Sequence, residues 1–214
     1  MKIFKDRKAA GKLLAKHLKQ YKSKNNTLIL GIPRGGVVVA AEVSKKLKLP
    51  LDIIVTRKIG DPKQQELALG AVDPDGSVIW DEQLMNELGL KVEDLVGEVS
   101  EEIEEIKRRE KTYRHDKKPL KLTAKTVILI DDGIATGATF LSAVNYLINH
   151  KVKKIILAVP IASEDALKKI SHRIGKSEER VVLEIPIPFQ AVSKFYQQFL
   201  AVSDEEVIEY LKHE

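Results

Sequence analysis

The most informative segment of the chain reads Val127-Ile128-Leu129-Ile130-Asp131-Asp132-Gly133-Ile134-Ala135-Thr136-Gly137-Ala138-Thr139. Its leading apolar run is too short for a helix and is typical of a buried strand, which here ends at two adjacent carboxylates. Small residues and two threonines follow, and apolar residues at helical spacing then continue to about Asn149. A strand, a loop and a helix in this order form one unit of a parallel sheet. Because ligands of open α/β sheets bind beyond the carboxyl ends of strands, we expect a binding site in this loop.

The rest of the chain repeats this alternation of strands and helices. Apolar runs predict further strands at 28–32, 51–56, 154–160 and 181–185. Helical spacing lies between these runs, so the sequence predicts an α/β fold with a mostly parallel central sheet and helices on both faces. The pair Asp75-Gly76 predicts a hairpin between strands at 67–72 and 77–80. Asp6 is the expected N-cap of a first helix, and Ser203 with Glu206 forms a capping-box pattern before the last one.

Length and composition predict one ordinary globular domain over residues 1–214, since 43% of the residues are apolar and 31% are charged. The chain has no cysteine, which excludes a disulfide framework, a thiolate nucleophile and a zinc–thiolate site. Its apolar runs are far shorter than the roughly 20 residues that span a bilayer. The first residues are charged and lack an apolar signal region, so we expect a cytoplasmic protein with no membrane partner.

The net charge of +5 permits a nucleic-acid partner. However, the lysines are scattered and only 5% of the residues are aromatic, which leaves no evident surface of rings and cations for stacking bases. A solvated basic surface is the more typical reading of such a pattern. Nucleic acid is therefore not expected as a partner.

The loop at 133–139, which we term the anion loop, has the chemistry of a phosphate site. Small residues let the backbone approach a ligand closely, two hydroxyls can donate, and the N–H groups at a helix start are unpaired. These residues are Gly133, Ala135, Thr136, Gly137, Ala138 and Thr139. The preceding Asp131 and Asp132, which we term the acidic pair, would repel a phosphate. The ligand should therefore carry hydroxyls or a cation beside its phosphate.

Other phosphate, metal and hydrolase motifs are missing from the sequence. It contains no Gly-x-x-x-x-Gly-Lys-Ser/Thr run, and no Gly-x-Gly-x-x-Gly follows a strand. The histidines show no metal-ligand spacing, and no Gly-x-Ser-x-Gly occurs. We therefore assign no protein side chain as a metal ligand.

The segment Val127 to Thr139 closely resembles the phosphoribosyl pyrophosphate motif of type I phosphoribosyltransferases. In that motif an apolar run, two acidic residues, a short spacer and a Thr-Gly-x-Thr loop occur in the same order. The resemblance implies transfer of a phosphoribosyl group from phosphoribosyl pyrophosphate (PRPP) to a nitrogenous small-molecule acceptor, with release of pyrophosphate. It also implies magnesium (Mg²⁺) as the cofactor and a homodimer.

The resemblance assigns roles to residues outside this segment as well. Pro33-Arg34-Gly35-Gly36, which we term the first loop, resembles the family's pyrophosphate loop. There Arg34 would clamp pyrophosphate oxygens, while Gly35 and Gly36 would present backbone N–H groups. Lys58 and Arg114 are further candidates for the pyrophosphate, and the catalytic set is then Arg34, Lys58 and the acidic pair. The alternatives are a plain turn for the first loop, solvated cations near Lys58 and a basic helix end at Arg114.

Two further regions are interpreted through the resemblance. Residues from about 60 to 116 take the place of the family's mobile catalytic loop, and residues from about 186 to 200 take the place of a small hood over the acceptor. In the hood, Phe189 and Tyr196 are candidates to stack on an acceptor ring, and core packing is the equal alternative. Ala135 stands where relatives that act on 6-oxopurines usually carry an aspartate. Transfer to hypoxanthine or guanine is therefore not expected unless another group moves the proton.

Two rival functions stay open at this point. A regulator that senses PRPP or a nucleotide could keep the fold and the site without catalysis, and the basic charge permits it. A hydrolase of sugar phosphates could use Asp131 as a nucleophile. The hydrolase would need a phosphate-activating lysine and further acids placed like those of aspartyl phosphatases, and we do not find that arrangement in the sequence.

Overall fold

The computed structural model describes residues 3–115, 117–175 and 179–212. Its strands are β1 (Thr27–Gly31), β2 (Leu51–Ile53), β3 (Arg57–Asp61), β4 (Gln64–Val72), β5 (Val78–Trp80), β6 (Thr126–Ile130), β7 (Lys154–Ile161) and β8 (Glu179–Glu184). Its helices are α1 (Arg7–His17), α2 (Gly35–Leu47), α3 (Glu82–Leu88), α4 (Val96–Arg114), α5 (Ala138–Asn149), α6 (Glu164–Ile174) and α7 (Asp204–Lys212). The α/β class expected from the sequence is confirmed.

Five strands form a parallel sheet in the order β2-β1-β6-β7-β8. Side chains along each inner strand alternate between two cores, as the period of two in a strand requires. On β1, Ile29 joins the core beneath α1, α2 and α7, whereas Leu28 and Leu30 join the core beneath α5 and α6. Burial on both faces explains why these strands read as continuous apolar runs.

The order of strands creates a switch point between β1 and β6. From β1 the chain crosses through α2 to β2 on one side, whereas β6 leads through α5 and α6 to β7 and β8 on the other. The two strands are paired in register, with Gly31 opposite Ile130. Their carboxyl ends therefore lie side by side, at the place where open α/β sheets bind ligands.

A second, antiparallel sheet of β3, β4 and β5 stands apart from the parallel one. The predicted hairpin at Asp73–Gly76 is confirmed, with Gly76 N donating to Asp73 O over 3.0 Å and Gly76 in the left-handed region at φ +82°. Strand β3 was not expected from the sequence. Its polar residues Arg57 and Lys58 interrupt any apolar run, and only alternate positions from Ile59 onward are buried.

Both predicted helix caps are confirmed. The Asp6 carboxylate accepts from Ala9 N over 2.7 Å at the start of α1. Before α7, Ser203 Oγ accepts from Glu206 N over 3.2 Å, and Glu206 accepts in return from Ser203 N over 2.9 Å. None of the helices in the described ranges has the length and apolarity needed to cross a membrane.

Candidate functional site

The acidic pair follows β6 directly, at the switch point of the sheet. Asp132 N donates to Asp131 Oδ1 over 2.8 Å, so the Asp131 carboxyl group is held against the backbone of its neighbour. Burial, reinforced by the neighbouring Asp132 charge, raises the pKa of Asp131 well above its usual range. Burial also raises the pKa of Asp132, but there the Arg7 charge opposes it. Asp131, whose pKa is the more strongly raised, also lines a cavity, and this combination is typical of a functional site.

Arg7 is a member of the site that sequence reasoning missed. Its Nε lies 2.6 Å from Asp132 Oδ2, and the two side chains are only 11% and 15% exposed. Its Nη1 donates to Leu200 O over 2.7 Å, and the guanidinium lies 3.8 Å from the centre of the Phe199 ring. The first turn of α1 contains Arg7 and no acidic residue, although helix starts favour acids. That local mismatch is the signal that could have marked Arg7.

The anion loop is tied to the neighbouring strand by backbone hydrogen bonds. Ile134 N donates to Ile161 O and Ser163 N donates to Ile134 O, each over 2.9 Å. Gly137 adopts φ +86° and is the N-cap of α5, where no side chain caps the helix. The N–H groups of the first turn of α5 therefore have no partner within the helix and are available to an anion.

A cavity of about 220 Å³ opens at this loop. Its lining combines the cation of Lys58, the carboxyl of Asp131, the anion loop and a few apolar side chains. The lining residues are Lys58, Asp131, Gly133, Ile134, Ala135, Thr136, Gly137, Thr139, Phe140 and Val192. The cavity thus combines an acidic side chain, a cationic side chain and backbone donors at the carboxyl end of β6.

The first loop packs directly against the acidic pair. A Cβ atom on Gly35 would lie 2.0 Å from Asp132 Oδ2, and one on Gly36 would lie 2.9 Å from Asp131 Oδ1. Only glycine fits at both positions. The backbone at the start of α2, at Gly35, therefore lies in direct contact with the carboxylates. The dipole at this helix N-terminus favours their negative charge.

Arg34 precedes these glycines and its side chain is 45% exposed. Its Nη1 lies 3.5 Å from Asp204 Oδ1, at the start of α7, and this distance describes a loose ion pair. Lys58 is exposed on β3 and contributes to the cavity wall. Lys58 thus lines the cavity, whereas Arg34 is exposed to a ligand but is not among the residues that line it.

The structure does not bring Arg114 to this site. Its Nε donates to Asp52 Oδ1 over 2.9 Å, its Nη1 to Glu110 over 2.7 Å and its Nη2 to Ile53 O over 2.7 Å. The side chain is only 11% exposed. Arg114 therefore braces the outer edge of β2, and its donors are engaged there rather than near the acidic pair.

The two aromatic candidates of the hood also lie outside the cavity lining. The Tyr196 ring is buried against Phe4 and Phe199, and its hydroxyl donates to Asp132 O over 2.6 Å. Burial raises the Tyr196 pKa, so the group stays a neutral donor. The Phe189 ring stacks on Phe195, with centroids 5.9 Å apart. From this segment it is Val192, not an aromatic ring, that reaches the cavity.

Comparisons with known proteins agree with this arrangement. A family model described as "Phosphoribosyl transferase domain" matches residues 2–190. Two Mycobacterium tuberculosis proteins, from strains H37Rv and CDC 1551, are 38% identical over 211 residues, and their names assign them provisionally to the phosphoribosyl transferases. The matches cover 99% of this chain and 47% of each relative, so the chain spans about half the length of the curated relatives it matches. The crystal structure of TT1426 from Thermus thermophilus is 34% identical with a TM-score of 0.81, covering 100% of this chain and 99% of that one.

Proposed function

The chain belongs to the phosphoribosyl transferase domain family, and from that premise we propose that it transfers a phosphoribosyl group from PRPP to a nitrogenous small molecule, releasing pyrophosphate. In this reaction the bond from ribose C1 to the pyrophosphate oxygen breaks and a bond from C1 to the acceptor nitrogen forms. The nitrogen gives up a proton to solvent, and pyrophosphate leaves with the electron pair of the broken bond.

One observation supports the proposal above all others. At the switch point between β1 and β6, a half-buried acidic pair lies next to the uncapped start of α5. Carboxylates accept hydrogen bonds from hydroxyls and repel phosphates, whereas the start of α5 attracts phosphates. A sugar phosphate with free hydroxyls satisfies both halves of the site at once.

The acidic pair would bind the 2- and 3-hydroxyls of ribose. As the bond at C1 breaks, positive charge develops on the sugar ring, and nearby carboxylates stabilise that charge. The same carboxylates are poorly solvated, so their field on the ring is stronger than in water. This is the contribution we assign to Asp131 and Asp132.

The anion loop would hold the 5-phosphate through backbone N–H groups and the hydroxyls of Thr136 and Thr139. Binding at this remote group fixes the orientation of C1 toward the acceptor, which is a large part of catalysis when two substrates must meet. The ties from Ile134 to β7 support this role, because they hold the loop in its shape before the ligand arrives.

Arg34 and Lys58 would take up the negative charge of the leaving pyrophosphate. Both are exposed, Lys58 lines the cavity, and arginine matches phosphate oxygens with two parallel hydrogen bonds. Gly35 and Gly36 would add backbone N–H groups at the start of α2.

Magnesium is compatible with a site for PRPP, because the ion is commonly held by the oxygens of substrate phosphates with few protein ligands. We propose that it enters as its complex with PRPP and assign no side chain as its ligand. When bound, it would neutralise charge on the pyrophosphate.

Ala135 limits the range of possible acceptors, because it is exposed at the cavity and cannot donate or accept a proton. An acceptor nitrogen that is already nucleophilic at neutral pH suits this wall better than a 6-oxopurine, which needs an acid or base at its ring nitrogen. Val192, which lines the cavity, would give the acceptor an apolar contact.

The test is to incubate the protein with PRPP, magnesium and a panel of nitrogenous acceptors, and to measure pyrophosphate release. We expect release that depends on one class of acceptor. Tight binding of PRPP without turnover on any acceptor would favour the sensing regulator instead. A protein that does not bind PRPP at all would refute both.

A further inference from the structure

We propose that Arg7 is a positioning residue that fixes the Asp132 carboxylate for the ribose hydroxyls. This inference rests on the proposed function, because it assigns a partner to one member of the acidic pair. Arg7 lies 125 positions away from Asp132 in the chain and meets it through the packing of α1 onto the sheet.

The guanidinium of Arg7 is held on three sides. Nε donates to Asp132 Oδ2 over 2.6 Å and Nη1 donates to Leu200 O over 2.7 Å. The plane of the group rests against the Phe199 ring, 3.8 Å from its centre. These three contacts fix the planar guanidinium group in one orientation. The ammonium group of a flexible lysine would not reproduce that orientation.

Asp132 is confined from its other sides as well. Its main-chain carbonyl accepts from the Tyr196 hydroxyl over 2.6 Å. Gly35 approaches its Oδ2 so closely that an added Cβ would lie only 2.0 Å away. Arg7 therefore takes Oδ2, and we assign the other carboxyl oxygen, Oδ1, to the 2-hydroxyl of ribose.

The charge of Arg7 is as important as its shape. Two adjacent carboxylates that are largely withdrawn from water repel each other, so both ionise only if a cation compensates one of them. Arg7 is the cation that pairs with Asp132, with both side chains mostly buried. A charged Asp132 accepts from a hydroxyl more strongly than a neutral acid does.

The test uses ribose 5-phosphate and 2-deoxyribose 5-phosphate, which differ only in the 2-hydroxyl, and measures both affinities by calorimetry. We expect the wild-type protein to prefer ribose 5-phosphate about tenfold, as for a hydrogen bond to a charged group. The preference should fall to about twofold or less in Arg7→Met and should be lowered about threefold in Arg7→Lys. Loss of structure alone would weaken both ligands equally and leave their ratio unchanged.

Lys154→Met is the matched control, because it breaks an ion pair with Glu179 at the amino ends of β7 and β8, far from the cavity. It should keep the wild-type preference. A wild-type preference in either Arg7 variant would overturn the inference and leave the proposed function standing, and the lysine variant decides the matter if the methionine variant does not fold. A wild-type protein that binds neither sugar phosphate would overturn the proposed function and the inference together.

Discussion

Asp131 lies at the end of β6 with its carboxyl group largely shielded from water. We expect Asp131→Asn to lower turnover with PRPP by about 100-fold, because the amide cannot ionise to the carboxylate that stabilises the cationic sugar ring. The asparagine oxygen can still accept from Asp132 N, so the local fold should persist. Steady-state kinetics with the best acceptor measure this, and Asp75→Asn on the hairpin is the control. If both variants lost turnover by the same factor, Asp131 would have no specific role in the mechanism.

The same substitution should change how stability depends on pH. The folded-state pKa of Asp131 is raised, whereas the unfolded value is about 3.9. Above that unfolded value the folded state holds the extra proton, so the free energy of unfolding declines as pH rises toward the folded pKa. Asp131→Asn lacks this decline and should be the more stable protein at neutral pH. Urea unfolding across the range from about pH 4 to pH 8 would show it, and parallel curves for the two proteins would contradict it.

Residues of the site differ in how far the sequence predicts them. Asp131, Asp132 and the anion loop are contiguous, so their order alone indicates a sugar phosphate. Arg7 and Val192 lie far away in the chain and reach the site only through tertiary packing. Tyr196 was expected near the acceptor, but its aromatic ring is equally suited to the buried position it takes under Asp132.

At the scale of elements, α2 and β6 meet where the first loop touches the acidic pair. We expect Gly35→Ala to weaken PRPP binding at least about tenfold, because the new Cβ would displace the Asp132 carboxylate or the start of α2. Gly97→Ala in α4 is the control, since a Cβ there meets nothing within 4 Å. The control should bind normally and gain about 1 kcal/mol of stability from alanine's helix propensity. If Gly35→Ala bound PRPP normally, close contact between α2 and the acidic pair would not be required for binding.

A substitution at the edge of β2 tests whether Arg114 binds pyrophosphate, as the sequence suggested. Its guanidinium pairs with Asp52, which is only 7% exposed, so Arg114→Met should cost about 3 kcal/mol by leaving a buried charge unpaired. The folded variant should keep the wild-type KM for PRPP, because the arginine is engaged away from the cavity. Chemical unfolding and kinetics measure the two effects. A raised KM without loss of stability would restore the pyrophosphate role that the sequence suggested.

Strands with an apolar pattern were predictable, whereas β3, whose conformation depends on pairing, was not. The strands of the parallel sheet are buried on both faces and therefore read as apolar runs. Strand β3 carries Arg57 and Lys58, and its pairing with β4 decides its conformation. Arg57 is held there by Glu102 of α4 over 2.6 Å, a contact that no local pattern reveals.

At the scale of the whole molecule, the position of the site follows from strand order. The sequence predicts parallel strands but not which of them are neighbours. Only the order β2-β1-β6 places the first loop beside the acidic pair, although nearly a hundred residues separate them in the chain. The large segment between them forms the antiparallel sheet and α4 and leaves β1 and β6 in register.

The central claim is that the switch point between β1 and β6 binds PRPP, with the sugar on the acidic pair and the 5-phosphate on the anion loop. A crystal structure of the protein soaked with PRPP and magnesium tests it most directly. We expect ribose hydroxyls within hydrogen-bond distance of Asp131 and Asp132 and the 5-phosphate at the start of α5. Density for PRPP at another surface, or an empty switch point at saturating ligand, would contradict the account.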